Sequence, residues 1–287
     1  MAGIGVGMLF LIPLAEKSIS TFGWRKTYIY LAGLVLFLVV PLNLAFSRRS
    51  PEMLGLHPDG DGGEDTTGRQ KPSMLVKVVD NDWVQKSWTL KSAIATKRFW
   101  FLTFAFFFLA FAYQGTLLHA VSAMVDDGLA KESAAYFFGI LGMAGSVGKI
   151  ILGYLSDLYG RERVNTLGAA MAAIGIMCLI SVNAAPAILP LCFALFFGLG
   201  YGAAAPLLPS VTADIFLGKS FGVIFAMISI GGGAGGATGS YVAGLLFDLT
   251  KTYTIPFTFF ILCLCSSVTL VWLAGPRQVR QMVKAGS

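Results

Sequence analysis

The sequence predicts an all-α membrane protein, a bundle of hydrophobic helices, from two observations. Of its 287 residues, 56% are hydrophobic and 13% are charged, and the mean hydropathy is +0.73, which is too apolar for a water-soluble domain of this length. The apolar segments are long continuous runs. Such runs favour helices over a β-barrel, because each span must satisfy its own backbone hydrogen bonds in lipid. We therefore expect the lipid bilayer to surround most of the chain.

Seven apolar stretches are long enough, at about 20 residues, to cross a hydrocarbon core of roughly 30 Å. They cover residues 28–46, 99–121, 134–155, 164–182, 188–208, 221–246 and 256–273. Residues 1–15 form a shorter apolar stretch that lacks the basic region and cleavage site of a signal peptide. We interpret it as part of a further span, so the prediction is about eight spans.

One long polar stretch, residues 47–96, sets the predicted domain boundaries. Residues 1–46 hold two spans, residues 97–276 hold six, and residues 277–287 form a polar tail. Most of the 21 basic residues fall on the side of the membrane that holds this linker and this tail. The positive-inside rule therefore predicts a cytoplasmic linker and C-terminus, in a multi-pass protein of the plasma or inner membrane.

Several function classes are excluded by what the sequence holds. The four cysteines, Cys178, Cys192, Cys263 and Cys265, lie in apolar runs without the paired spacing of metal or redox sites, so we expect no metal and no cofactor. The basic residues sit at span ends without a nucleic-acid-binding module. An enzyme is not expected either, because the spans hold no nucleophile–base pair, paired carboxylates or metal-ligand group.

Lys149 is the one basic residue inside a predicted span. It lies about eight residues before Asp157, roughly 12 Å inside the membrane, where a lysine costs on the order of 2.5–3.5 kcal/mol. Its helix face is shared with small residues, which are Gly142, Gly145, Ser146 and Gly153. Small residues mark a close backbone approach or a cavity. Lys149 and Ser146 are therefore candidate substrate-binding residues, and the alternative is a structural lysine paired with a carbonyl or an acid of another helix.

Three further polar residues are candidates for substrate binding. Gln114 and His119 lie toward the outer end of the preceding span, but five residues separate them by roughly 140° around a helix, so they cannot both point at one ligand. A histidine this close to the interface is more often a hydrated residue near the helix end than a proton relay or a substrate contact. Tyr201 shares a face with small residues and either presents its hydroxyl to a cavity or bonds a neighbouring helix.

Glycines dominate residues 231–240, where small residues recur at every fourth position. Gly232, Gly235, Gly236 and Gly239 form overlapping small-xxx-small pairs, which predict close helix packing. Such a helix can also bend or slide, as alternating access requires.

Residues 153–163 read GYLSDLYGRER and connect two predicted spans. This segment resembles the cytoplasmic-loop signature of the major facilitator superfamily, roughly G-x-L-x-D-r-x-G-R-r. The matching positions are Gly153, Leu155, Asp157, Gly160, Arg161 and Arg163. Leu158 departs from the pattern, where a basic residue is usual. The aspartate can pair at a helix end and the arginines anchor the turn on the inner face.

Other segments resemble the monocarboxylate transporter and oxalate/formate antiporter branch of that superfamily, namely residues 22–25, 51–60 and 243–248. In that branch, a basic residue four positions before the glycine of the loop signature is tied to carboxylate transport. Lys149 has this spacing before Gly153. A lysine offers a point charge where the commoner arginine would bind a carboxylate through two hydrogen bonds.

The resemblance implies a twelve-span fold of two six-helix halves, with this chain holding spans five to twelve. The expectation is then that the chain is a fragment, or that a partner supplies the missing N-terminal helices. The leading functional prediction is a secondary active transporter of a small organic anion, a mono- or dicarboxylate, working by alternating access with proton symport or anion exchange. Two alternatives stay open: a carrier of another small solute, such as a drug or neutral metabolite, and a truncated, non-transporting membrane subunit.

Overall fold

A computed structural model describes residues 2–46 and 75–283 of the chain. Its helices are α1 (Ala2–Phe22), α2 (Trp24–Leu34), α3 (Val40–Phe46), α4 (Asn81–Gln85), α5 (Leu90–Ile94), α6 (Lys97–Asp126), α7 (Lys131–Tyr159), α8 (Arg161–Ile180), α9 (Leu189–Phe216), α10 (Phe221–Thr250) and α11 (Thr254–Ala274). A π-helical turn (Val35–Val39) joins α2 to α3. The strands β1 (Leu75–Val78) and β2 (Arg280–Val283) pair in antiparallel register. The all-α membrane fold is confirmed, with this short ladder as an addition.

Seven helical segments within the described residues are long and apolar enough to cross a membrane. They are Trp24–Ala45, which contains α2 and most of α3, and then α6, α7, α8, α9, α10 and the segment Thr254–Gln278 that begins with α11. Each overlaps one of the seven predicted stretches, and only residue 46, residues 181–182 and residue 188 of those stretches lie beyond the span bounds. The helix α1 falls outside this set and runs further than the predicted stretch 1–15, to Phe22, before Gly23 with φ 77° separates it from α2.

The described residues form two compact units, one within Leu14–Ser73 and the other within Met1–Pro13 and Met74–Ser287. In the first unit, α2 and the π-helical turn carry exposed large apolar side chains, including Tyr28, Ile29 and Phe37. Thr27 is buried, and its hydroxyl donates to the carbonyl oxygen of Gly23 at 3.1 Å. A helix with such an apolar surface is suited to lipid or to another apolar helix.

The second unit contains the six-helix bundle α6–α11. Helix α6 packs against α10 and α11, while α9 packs against α7 and α8. Fully buried phenylalanines fill the interior, among them Phe193, Phe197 and Phe260. These pairings place α6, α7, α9 and α10 around the candidate site described below.

The second half of the predicted linker is a folded segment, in which the helices α4 and α5 and two tryptophans lie next to the six-helix bundle. Trp88 is 4% exposed and lies 5.1 Å from the ring of Phe216 at the end of α9. The indole N–H of Trp83 donates to the carbonyl oxygen of Ile215 at 2.8 Å. Two tryptophans bury enough apolar surface to hold a polar segment against the bundle. The linker residues 47–74 lie outside the described residues.

Candidate functional site

A cavity of about 790 Å³ opens between four helices of the six-helix bundle. Its lining includes Tyr113 and Gln114 from α6, Lys149 from α7, Tyr201 from α9, and Gly232 and Gly236 from α10. Most other lining side chains are apolar, such as Phe106, Leu109, Phe138 and Leu208. An apolar cavity with a few convergent polar groups is the usual form of a small-molecule site.

Lys149 reaches this cavity because the glycines beside it let α7 approach α9 closely. A Cβ atom on Gly148 would lie 2.9 Å from the Cα atom of Leu199, and one on Gly202 would lie 3.0 Å from the backbone nitrogen of Lys149. The lysine side chain is half-buried. Among the described residues, the ion pairs involve Arg161 alone, so no described carboxylate is paired with Lys149. The cation therefore faces the cavity without a carboxylate counter-ion from residues 2–46 or 75–283.

Two tyrosines form one wall of the cavity. The hydroxyl of Tyr113 donates to the carbonyl oxygen of Gly200 at 3.2 Å, and its ring lies edge-on to Tyr201 at 5.3 Å between centroids. Tyr201 in turn stacks over Phe197. No hydrogen bond of the Tyr201 hydroxyl is present within the described part of the chain, which leaves that group available to a ligand in the cavity.

Gln114 also lines the cavity, next to Gly236. A Cβ atom added to Gly236 would lie 3.0 Å from the Cγ atom of Gln114. His119 does not line the cavity. Its Nε2 atom lies 3.1 Å from the carbonyl oxygen of Ser240, and its ring lies 5.8 Å from that of Tyr253. Gln114 and His119 therefore have different surroundings, in keeping with their angular separation on α6.

Ser146 lies outside the cavity lining as well. It is 5% exposed, and its hydroxyl oxygen has no hydrogen-bond partner among the described residues. The structure thus brings together three of the five predicted substrate-binding residues, which are Lys149, Tyr201 and Gln114.

The four glycines predicted for helix packing divide between two roles. A Cβ atom on Gly235 or on Gly239 would collide with a backbone carbonyl oxygen of α6, that of Phe107 or of Phe111. These two positions therefore set the close contact of α10 with α6. Gly232 and Gly236 face the cavity instead.

The loop signature forms a compact turn between α7 and α8. Gly160 makes the turn with φ 96°, a left-handed conformation that favours glycine. The guanidinium of Arg161 forms an ion pair with Asp157 and a second one, at 3.4 Å, with Asp214 near the end of α9. Gly153 lies against Pro206 of α9, and a Cβ atom added to Gly153 would be 3.5 Å from the Cγ atom of Pro206. Arg163 is exposed.

The model of the Major Facilitator Superfamily matches residues 1–236 and 148–285. The chain belongs to this superfamily. Superfamily membership and the seven apolar helices together make it an integral, multi-pass membrane protein.

Three relatives illustrate the range of similar proteins. Monocarboxylate transporter 12 of Homo sapiens is 27% identical over 304 residues, which cover 99% of this chain and 56% of that protein. The uncharacterized MFS-type transporter YhjX of Escherichia coli is 26% identical over 79% of this chain and 52% of its own length. The glycerol-3-phosphate transporter of Bacillus subtilis is 23% identical over 61% of this chain and 39% of its own.

The chain thus spans about half the length of the first two relatives. The resemblance to the superfamily and to its monocarboxylate transporter branch is confirmed, and the relatives are named as transporters, not enzymes.

Two residues of the described sites, Tyr113 and Asp214, were not predicted from the sequence. Tyr113 belongs to no motif or spacing pattern. A tyrosine hydroxyl inside an apolar run needs a hydrogen-bond partner, and this requirement was the available signal. Asp214 lies beyond the predicted stretch 188–208, and its pairing with Arg161 depends on the meeting of two helix ends far apart in the chain.

Proposed function

We propose that the protein is a secondary active transporter of a small organic anion, a mono- or dicarboxylate, and that Lys149 binds the carboxylate. The observation that carries this proposal is a half-buried lysine lining a cavity with no carboxylate paired to it within the described residues. A cation inside the membrane is costly and needs water or a counter-ion. An anionic substrate in the cavity supplies that counter-ion.

The rest of the cavity fits a carboxylate with an apolar body. Gln114 and Tyr201 offer hydrogen bonds near the lysine, while most of the wall is apolar. A lysine binds as a point charge and does not impose the planar two-bond geometry of an arginine. The site therefore accommodates carboxylates that differ in orientation, and a short apolar chain finds its place against Phe106 and Leu109.

The first experiment measures uptake of radiolabelled carboxylates by cells that express the protein, Lys149→Ala or Lys149→Arg. We expect Lys149→Ala to reduce uptake to background, because the substrate loses its counter-charge, and Lys149→Arg to retain part of it. Lys219→Ala, which removes an exposed lysine outside the cavity, is the matched control. Equal expression at the membrane, with unchanged uptake by Lys149→Ala, would reject the assignment.

The energy coupling is tested separately, in vesicles that contain the purified protein. Proton symport predicts that an inward pH gradient accelerates carboxylate uptake. Anion exchange predicts that preloaded carboxylate accelerates it in the absence of a gradient. The cavity lining contains no carboxylate side chain among the described residues, and this favours exchange over symport.

A carrier of neutral amphipathic solutes is the second candidate, favoured by the large apolar share of the cavity wall. In that case Lys149 is structural. Competition separates the two functions: uptake of a labelled carboxylate falls when other carboxylates are added and stays constant with neutral analogues of the same size if the first proposal holds. Neutral analogues compete equally if the second one does.

The orientation proposed with this function places the α7–α8 turn, the segment before α6 and the C-terminus in the cytoplasm. In a variant without the four native cysteines, we expect Lys219→Cys to be shielded from an impermeant maleimide in intact cells. Lys131→Cys, at the start of α7, is expected to react. The reverse pattern would invert the proposed topology.

A further inference from the structure

We propose that a second pocket, beside the α7–α8 turn, binds a phosphate group, that of an anionic phospholipid headgroup or of a free phosphate. The pocket has a volume of about 310 Å³ and lies apart from the large cavity. Its walls are the end of α7, the start of α8, the end of α9, and the end of α11 with the residues that follow it. It has no part in the proposed carboxylate site.

Positive charge is in excess around this pocket. Four arginines line it, Arg161, Arg163, Arg277 and Arg280, against two lining carboxylates, Asp214 and Glu162, and a third, Asp157, that is paired with Arg161. Planar guanidinium groups suit phosphate oxygens, because each can donate two hydrogen bonds in parallel.

The two carboxylates are already engaged by the protein. Asp214 is paired with Arg161. Glu162, which is 3% exposed, accepts a hydrogen bond from the backbone nitrogen of Arg277 at 2.9 Å.

Two of the arginines are less engaged. Arg163 is exposed and has no ion pair with a described carboxylate, and Arg280 donates to the backbone carbonyl oxygen of Ala213 at 3.0 Å. Arg163 and Arg280 thus keep donors for an incoming anion.

The backbone adds donors at the same place. Helix α8 begins at Arg161, directly after Gly160, and no side chain caps its N-terminus. The first amide groups of a helix have no carbonyl partner within it, and they carry the positive end of the helix dipole. These amides and the arginine side chains lie on one pocket, which is the arrangement that binds phosphate in many proteins.

The surroundings favour a lipid headgroup as the source of the phosphate. Tyr159 and Trp272 line the pocket, and tyrosine and tryptophan are enriched where a helix meets the membrane–water interface. The guanidinium of Arg277 lies over the Trp272 ring at 4.5 Å. Basic pockets between spans on the cytoplasmic side are known to bind anionic headgroups, and this end of the bundle is the one we propose to be cytoplasmic.

The test is thermal unfolding of the delipidated protein in neutral detergent, at constant ionic strength, with added short-chain phosphatidylglycerol or inorganic phosphate. We expect phosphatidylglycerol to raise the Tm by several degrees in a saturable manner. The variant Arg163→Gln should require at least several-fold more lipid for the same shift, and the double variant Arg163→Gln with Arg280→Gln should lose the shift. Lys219→Gln, an equal loss of charge at the same end of the bundle, should respond like the unmodified protein.

The outcomes separate the sources and decide the proposal. A shift at lower concentration with phosphatidylglycerol than with inorganic phosphate supports a lipid headgroup, while an equal or stronger shift with inorganic phosphate supports a free phosphate at the same site. Arg163 is exposed and unpaired with any described acid, so the single variant folds and is informative even if the double variant does not. If neither compound shifts the Tm, or if Arg163→Gln responds like Lys219→Gln, the proposal is overturned.

Discussion

Two cations near the same turn of the chain have opposite surroundings. Arg161, the first residue of α8, is 12% exposed and is held by Asp157 and Asp214. Lys149, further back along α7, is half-buried and faces the large cavity, and no carboxylate among the described residues is paired with it. Within the described part of the chain, one positive charge is therefore neutralised by the protein's own acids and the other is not.

The difference indicates which charge belongs to the architecture and which to a ligand. An arginine with two carboxylates ties the ends of α7, α8 and α9 together, and removing it leaves acids without a partner. A lysine without a carboxylate contributes little to folding, because its desolvation is not offset by an ion pair. Under the proposed function, its presence is explained by a substrate that brings the negative charge.

The largest expected effect is that Arg161→Gln loses stability, whereas Lys149→Met loses carboxylate uptake. Arg161→Gln should lower the free energy of unfolding by about 3 kcal/mol, since it leaves Asp214, 18% exposed, without its partner. Lys149→Met should leave stability equal or higher and abolish carboxylate uptake. The measurement is the Tm of each purified variant in detergent, together with uptake at matched expression.

Two outcomes would break this comparison. If Lys149→Met lowers the Tm as much as Arg161→Gln, the lysine has a structural partner and the binding role fails. If Arg161→Gln leaves the Tm unchanged, the ion pairs at the end of the bundle are too hydrated to stabilise it, as many exposed pairs are.

A second comparison is between two glycines of α10. Gly235→Ala should destabilise the protein by roughly 1–3 kcal/mol, because its methyl group would collide with the carbonyl oxygen of Phe107 and push α10 away from α6. Gly233→Ala, on the cavity side with nothing within 4 Å of the new methyl group, should be neutral or slightly stabilising, as alanine is the better helix former. Expression and Tm of both variants check this, and equal losses would mean that helix packing does not distinguish the two faces.

The helical architecture was predictable from the sequence, because a span needs only length and apolarity, and both are local properties. All seven predicted stretches overlap helices that qualify as spans. The folded segment after the linker was not predictable in the same way. It depends on Trp83 and Trp88 meeting Ile215 and Phe216, more than a hundred positions along the chain.

In the candidate site too, residues with a local signal were predictable from the sequence, and residues whose role depends on a neighbouring helix were not. Lys149 was found because a charge inside an apolar run is conspicuous on its own, and Tyr201 because small residues share its helix face. Tyr113 was missed since its significance comes from the Gly200 carbonyl on another helix. Ser146 shares the sequence face of Lys149 and is nevertheless buried away from the cavity lining, because the position of a neighbouring helix decides which part of a face is open.

The smallest expected effect separates the two tyrosines of the cavity wall. Tyr113→Phe removes a buried hydrogen bond to the carbonyl oxygen of Gly200 and should lower the free energy of unfolding by about 1 kcal/mol, with little change in substrate affinity. Tyr201→Phe removes a hydroxyl that no described group bonds, so stability should hold, while the KM for carboxylate should rise several-fold if that hydroxyl donates to the substrate. Tm and uptake kinetics of both variants measure this. An unchanged KM in Tyr201→Phe would restrict the substrate contacts on this wall to the aromatic rings and leave Lys149 and Gln114 as the polar groups of the proposed site.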